Sequence, residues 1–428
     1  MVGTRTRRDV LKTAAKLAAA GYLGVGARVA RAAAPAASGA RSLNDIDALL
    51  RAATLAGEVP GVVAMAATDD GVVYEGMFGR RALPSGAPMT RDTIFRIASM
   101  VKLITSVAAL QLVERGKLAL DAPVPAIDRA LAEPQVLDGF NAAGVPRLRP
   151  AKSPLSLRQL LTHTAGFAYG LWDAEVVQYH RRLERLPAAA RAQAPRAPLM
   201  FDPGTRWQYG PNIDWVGRIV EHLSGEPIDA YFRRNIFGPL GMSDTGFVIS
   251  PAQQRREANV HRREPDGSLK PLPQEKQRAH RTFTGGGGIY STASDYLTLI
   301  RALMHGGALG GERILRPETV ALMGRNQIGD IAVGVLHTTE PALSNDVDFF
   351  PGLTCKWGFG HMLTMQAVPG GRSAGSMTWA GLYNTYYWID PVKCVAAVFM
   401  PQVLPFADRR VLRLYRRYER AVYALNAG

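Results

Sequence analysis

The stretch FRIASMVKLITSVAALQLVERG, Phe95 to Gly116, constrains this chain more than any other. From Met100 to Arg115 its apolar residues recur at helical spacing, and it stops at Gly116, a natural residue to follow a helix. Lys102 interrupts Met100, Val101, Leu103, Ile104 and Val107, which otherwise read as a buried run. An amine in an apolar setting is costly unless a partner holds it or it gives up its proton. Ser99 stands three residues earlier, on the same helical face. Taken alone, the pair also fits a helix-capping serine and a lysine that grazes solvent, and the rest of the chain has to decide.

With 428 residues the chain is long for one simple domain, and about two lobes of ordinary size are expected. No internal run reaches the roughly 18 apolar residues of a membrane span. The N-terminus has Arg7 and Arg8 before Asp9, Val10, Leu11 and Lys12, then a mildly apolar Ala/Gly/Leu segment, then Ala30-Arg31-Ala32. That order resembles a bacterial twin-arginine export signal over residues 1–32, followed by a link at 33–41. Removing 1–32 takes away seven basic residues and one acidic one, so the formal charge falls from +15 to +9. Six arginines (Arg409, Arg410, Arg413, Arg416, Arg417, Arg420) share a C-terminal stretch with apolar residues at helical spacing. In an exported protein this reads as the wet face of a packed helix, with no nucleic-acid partner. Cys355 and Cys394 are too few for a disulfide scaffold, and sequence leaves open whether they pair.

Along the chain, β-branched runs flank Asp69-Asp70-Gly71 as a hairpin, and a second hairpin is expected around Asp390 to Lys393. Between them the signals are mostly helical or irregular. Ser156 and Gln159 form a capping box, and Ile213, Val216, Val220 and Leu223 recur before Gly225. Strand-forming segments at both ends with a helical insert predict a discontinuous α/β domain, 42–120 with 284–428, carrying a mainly helical lobe at 121–283. A crevice between them is the expected site.

IFRIASMVKLIT, LLTHTAGF, YGPNIDWVGRIVEHLSG, GPLGMSDTGF, GGGGIYSTASDY and WAGLYNTYYWIDP follow one another in an order that resembles the serine β-lactamase and penicillin-binding-protein superfamily. The resemblance runs from about Val59 to Gln402 and is to the class C-like branch, most similar to the family VIII carboxylesterases. It implies a DD-peptidase-like fold, α/β plus all-α, with an antiparallel sheet flanked by helices and a helical lobe. It implies Ser99 as nucleophile, Lys102 as its proton acceptor and Tyr209 as a second proton carrier. The backbone amides of Ser99 and Leu382 would form the oxyanion hole.

Two departures from the lactamase pattern bear on substrate. Those enzymes carry Tyr-x-Asn, but here Pro211 takes the asparagine's place and Asn212 comes one later. Where they present Lys-Thr-Gly or a histidine variant, this chain has Trp379-Ala380-Gly381, as the esterases do. An indole offers one N–H and a large apolar surface. Trp379, Ala380, Gly381 and Asn212 are the expected substrate-binding residues, with the direction of Asn212 in doubt. His163 reads as structural, and the glycines at 285–288 as a turn entering a strand, since no Lys-Ser/Thr follows. His, Cys and carboxylates show no metal-ligand spacing, and no cofactor is expected.

The expected function is therefore an exported serine carboxylesterase, periplasmic or secreted, acting on short to medium acyl esters through an acyl-enzyme. A β-lactamase, a D-amino-acid peptidase or an acyltransferase would use the same machinery, and a non-catalytic penicillin-binding sensor would keep the fold without turnover. Sequence leaves the natural ester and the oligomeric state open.

Overall fold

The computed structural model describes residues 42–188, 191, 194–274 and 282–425. The expected export signal and link lie outside the described residues. Helix α1 (Leu43–Leu55) leads into a hairpin of β1 (Gly61–Thr68) and β2 (Gly71–Gly79), which turns at Asp69-Asp70 as its sequence requires. The central helix α2 (Val101–Glu114) buries every residue from Val101 to Leu112, which is why its sequence is apolar all round. It ends at Glu114, and Gly116 just beyond its cap stands at φ +68°.

Helix α3 (Asn212–Ser224) closes on Gly225 at φ +74°, and α4 (Ala293–Met304) is capped by the Thr292 side chain, which accepts from the Asp295 amide. Five strands follow: β3 (Cys355–Trp357), β4 (Met362–Thr364), β5 (Met377–Gly381), β6 (Thr385–Asp390) and β7 (Val395–Met400). Helix α5 (Arg409–Leu425) completes the described chain. The seven strands form one antiparallel sheet in the order β3-β4-β5-β6-β7-β1-β2. Pairing of β1 with β7, Val63 opposite Met400, joins the two ends of the sequence in one sheet.

Alternation along β6 tells which helix covers which face. Tyr386 and Trp388 meet α5, with Tyr386 stacked on Tyr415 at 4.5 Å and Trp388 5.8 Å from Tyr418. Tyr387, pointing the other way, meets Tyr296 of α4 at 5.3 Å. Arg372 is wholly buried, and its Nη2 donates to Glu419 Oε2 of α5 at 2.7 Å. Removing either partner would strand a buried charge, at a cost of roughly 3 to 5 kcal/mol. Arg409, Arg413, Arg416, Arg417 and Arg420 lie exposed, opposite the buried Val411, Leu414, Tyr418 and Val422.

Between 121 and 283 the helices are joined by short strands that the helical periodicity did not announce. Gln135–Phe140 pairs with Pro146–Pro150, and His261–Arg263 pairs with Leu269–Pro271 and, in parallel, with Val403–Leu404. Both cysteines are free thiols. No helix among the described residues is long and apolar enough to cross a membrane.

Candidate active site

Ser99 sits in a 3₁₀ turn, Ala98–Met100, that runs directly into α2. Ala98 just before it has φ +43°, a strained left-handed conformation for a residue with a Cβ. The turn is fixed from outside, because Tyr296 Oη donates to the Met100 carbonyl at 2.9 Å. Lys102, on the first turn of α2, is 1 % exposed. Its Nζ donates to Ser99 Oγ at 3.1 Å and to the Gly286 carbonyl at 2.8 Å. The lysine in the apolar run is thus paired, and its amine lies within proton-transfer reach of the hydroxyl.

Tyr209 lies in the loop before α3, with its ring centroid 5.0 Å from Lys102 Nζ. Its Oη accepts from Trp379 Nε1 at 3.2 Å. On the other side of the lysine is Tyr169, 5.4 Å from Nζ to ring centroid. Tyr169 Oη donates to Asp214 Oδ2 at 3.1 Å, and its backbone N–H donates to the Tyr209 carbonyl at 3.2 Å. Burial first, and the Asp214 carboxylate next, hold the Tyr169 phenol well above its usual pKa, so it stays a donor. His163 packs 4.8 Å from the Tyr209 ring. Burial, then the charge of Lys102, push its imidazole well below the usual histidine range. It serves as a neutral acceptor in the scaffold, at 3.1 Å from Asn212 Nδ2.

Strand β5 brings the third motif across. A Cβ at Gly381 would lie 2.3 Å from the Ile97 carbonyl oxygen and 2.4 Å from Thr385 Oγ1. The glycine is required for strand β5 to close on the segment that carries Ser99, which brings Leu382, just past the strand, to the wall shared with Ser99. Ser99, Tyr209, Trp379, Ala380 and Leu382 all line one cavity of about 490 Å³. Aromatic rings and Leu171, Leu336 and Leu382 make up most of its wall. Its charged lining residue is Arg96, whose Nε donates to Glu257 Oε1 at 2.8 Å.

Asn212 is not part of that wall. It is wholly buried, and its amide donates to the Phe167 carbonyl at 3.2 Å as well as meeting His163. The one-residue shift past Pro211 turns the side chain into the scaffold, so the expected substrate contact is replaced by a hold on the loop under Tyr209. The indole N–H of Trp379 is likewise directed to Tyr209 rather than to a substrate. Sequence reasoning placed the glycines at 285–288 in a turn entering a strand, as the structure does, but gave no role to the carbonyls of Gly285 and Gly286, which receive Thr105 and Lys102, or to Asp214 and Tyr169. Four consecutive glycines beside a motif-rich register were the available signal.

A Ser-x-x-Lys pair at the head of a central helix, its serine facing the cavity and its lysine buried, with a tyrosine opposite and an antiparallel sheet alongside, defines the serine β-lactamase and penicillin-binding-protein superfamily. The chain belongs to the β-lactamase family, whose model (Beta-lactamase) matches residues 46–421. It is 30% identical over 400 residues to lovastatin esterase of Penicillium rubens, which spans 88% of this chain and 98% of that one. It is also 30% identical over 410 residues to ML-236A carboxylate methylbutanoyltransferase of Penicillium citrinum, spanning 91% and 96%. The solved structure of unliganded simvastatin synthase from Aspergillus terreus superposes with a TM-score of 0.75 at 28% identity, covering 90% of this chain and 99% of that one. The chain is accordingly an enzyme of the serine hydrolase and acyltransferase superfamily.

Proposed function

We propose that the enzyme is a carboxylesterase acting on short to medium acyl esters. Ser99 Oγ attacks the ester carbonyl carbon while its proton passes to the Lys102 amine. The amides of Ser99 and Leu382 receive the oxyanion, each such donor being worth roughly 3 to 4 kcal/mol. Tyr209 hands a proton to the departing alkoxide, and water then cleaves the acyl-enzyme by the same path in reverse. The observation that carries this reading is Trp379. It stands where lactam-recognising relatives place a lysine or histidine, and its one donor is engaged by Tyr209. What it offers substrate is an apolar wall.

The test compares p-nitrophenyl butyrate with nitrocefin. The ester is expected to be hydrolysed at least about tenfold more efficiently in kcat/KM, a gap of about 1.4 kcal/mol. A preference for nitrocefin would make the enzyme a β-lactamase.

A second reading, acyl transfer to an alcohol, is favoured by the cavity. At about 490 Å³ it has room for an organic acceptor beside the acyl group. The name of the Penicillium citrinum relative, a methylbutanoyltransferase, points the same way. Added alcohols that divert butyryl-enzyme from butyrate to new ester would establish it. For location, the Arg7-Arg8 pattern supports twin-arginine export to the periplasm or medium. Replacing both arginines by lysine should leave full-length precursor in the cytoplasm.

A further inference from the structure

We propose that Asp214 is a positioning residue for acylation, acting through the glycine turn at 285–287 to aim the carbonyl that holds Lys102. The proposal rests on the reading of Ser99 and Lys102 as nucleophile and base.

Four glycines in succession, 285 to 288, have no preferred backbone conformation of their own, so the direction of the Gly286 carbonyl must be imposed from outside. Both ends of the peptide that precedes it are tied. Its carbonyl, that of Gly285, accepts from Thr105 Oγ1 of α2 at 2.6 Å. Its N–H, that of Gly286, donates to Asp214 Oδ1 at 3.0 Å. With this plane pinned between α2 and α3, the next carbonyl points at Lys102 Nζ, 2.8 Å away. The carboxylate packs against the Cα itself, since a Cβ at Gly286 would lie 2.7 Å from Asp214 Oδ2 and 2.8 Å from Oδ1. The other carboxylate oxygen takes the Tyr169 hydroxyl, whose own N–H binds the Tyr209 carbonyl. One side chain therefore spans the supports of the base and of the tyrosine.

Asp214 does not line the cavity, so its loss should leave ester binding alone. A Gly286 carbonyl free to rotate would release Lys102 from the hydrogen bond that keeps it beside Ser99. A misplacement of about 1 Å at such a group costs on the order of a hundredfold in rate. An asparagine can restore both lines, its carbonyl oxygen to Gly286 N–H and its amide N–H to Tyr169 Oη.

The experiment measures single-turnover acylation by p-nitrophenyl butyrate, KM, and the rate of fluorophosphonate labelling in the full chain. Asp214→Ala should slow acylation and labelling by about ten- to a hundredfold with KM within about threefold of wild type. Asp214→Asn should recover to within about fivefold. If the alanine variant does not fold, Thr105→Val, which frees the other end of the same peptide, should show the same split between rate and KM. Acylation within twofold of wild type in Asp214→Ala, a parallel change in KM, or no rescue by asparagine overturns the proposal. Ser99→Ala separates the two layers, because residual turnover in that variant would instead remove the assignment of the nucleophile.

Discussion

The indole N–H of Trp379, on β5, donates to the phenol oxygen of Tyr209, in the loop before α3, at 3.2 Å. The two rings also tilt against each other at 4.9 Å between centroids. A donor aimed at this oxygen fixes where the phenol lies, and a group that is to pass a proton on must be held in place. Trp379 thus has two contacts, one face on the cavity and one donor on Tyr209, and under the proposed mechanism these wall the substrate and support the proton carrier.

Trp379→Phe keeps the apolar wall and removes only the donor. A neutral hydrogen bond contributes about 0.5 to 1.5 kcal/mol, so kcat for p-nitrophenyl butyrate should fall roughly three- to tenfold with little change in KM. A rise in KM at constant kcat would show that the indole serves substrate binding alone.

Lys102→Met preserves apolar volume and removes the amine, and should suppress both turnover and fluorophosphonate labelling nearly as fully as Ser99→Ala. Lys102→Arg should fail too, since a guanidinium keeps its proton at working pH. An active arginine variant would mean that the position supplies only a fixed charge. Tyr209→Phe is expected to lower turnover by on the order of a hundredfold or more.

Much of this was legible because burial and periodicity are local properties of sequence. The apolar run of α2 announced a central helix, and the two hairpins announced sheet at both ends. The support of the site was not legible, for a physical reason. Gly286 acts through a backbone carbonyl, and Asp214 and Thr105 act on that backbone from segments some 70 and 180 residues away in sequence. Main-chain acceptors leave no residue-type signature, and glycine permits the geometry without specifying it. Asn212, whose direction the sequence left open, is the opposite case. Its type fitted a substrate contact, but the extra residue at Pro211 fixed its direction, which only packing reveals.

Gly381→Ala tests how closely β5 must approach the turn that carries Ser99. The new methyl would overlap the Ile97 carbonyl, two residues before Ser99, and that carbonyl belongs to a backbone that cannot swing aside freely. Either β5 or the turn must shift, separating the Leu382 and Ser99 amides. Losing one oxyanion donor costs about 10²- to 10³-fold in kcat, and a drop of that order is expected with KM less affected. Activity within tenfold of wild type would place the oxyanion site elsewhere.

His361 is 1 % exposed, and burial pushes its imidazole down to about 3. His163 is lowered in the same direction by burial and by Lys102. In the unfolded chain both titrate near 6.5. As pH falls below that value the unfolded state takes up protons that the folded state refuses, so the contribution is complete above about pH 6.5 and is lost progressively toward pH 3. Between pH 6.5 and 4.5 one such imidazole accounts for on the order of 2 to 3 kcal/mol. His361→Leu lacks the titrating group, and His361 does not line the cavity that holds Ser99. Urea unfolding at pH 7, 5.5 and 4.5 should show wild-type stability falling across the series and the variant falling less by about that amount. Equal slopes would mean that His361 takes up its proton in the folded protein as readily as in the unfolded chain.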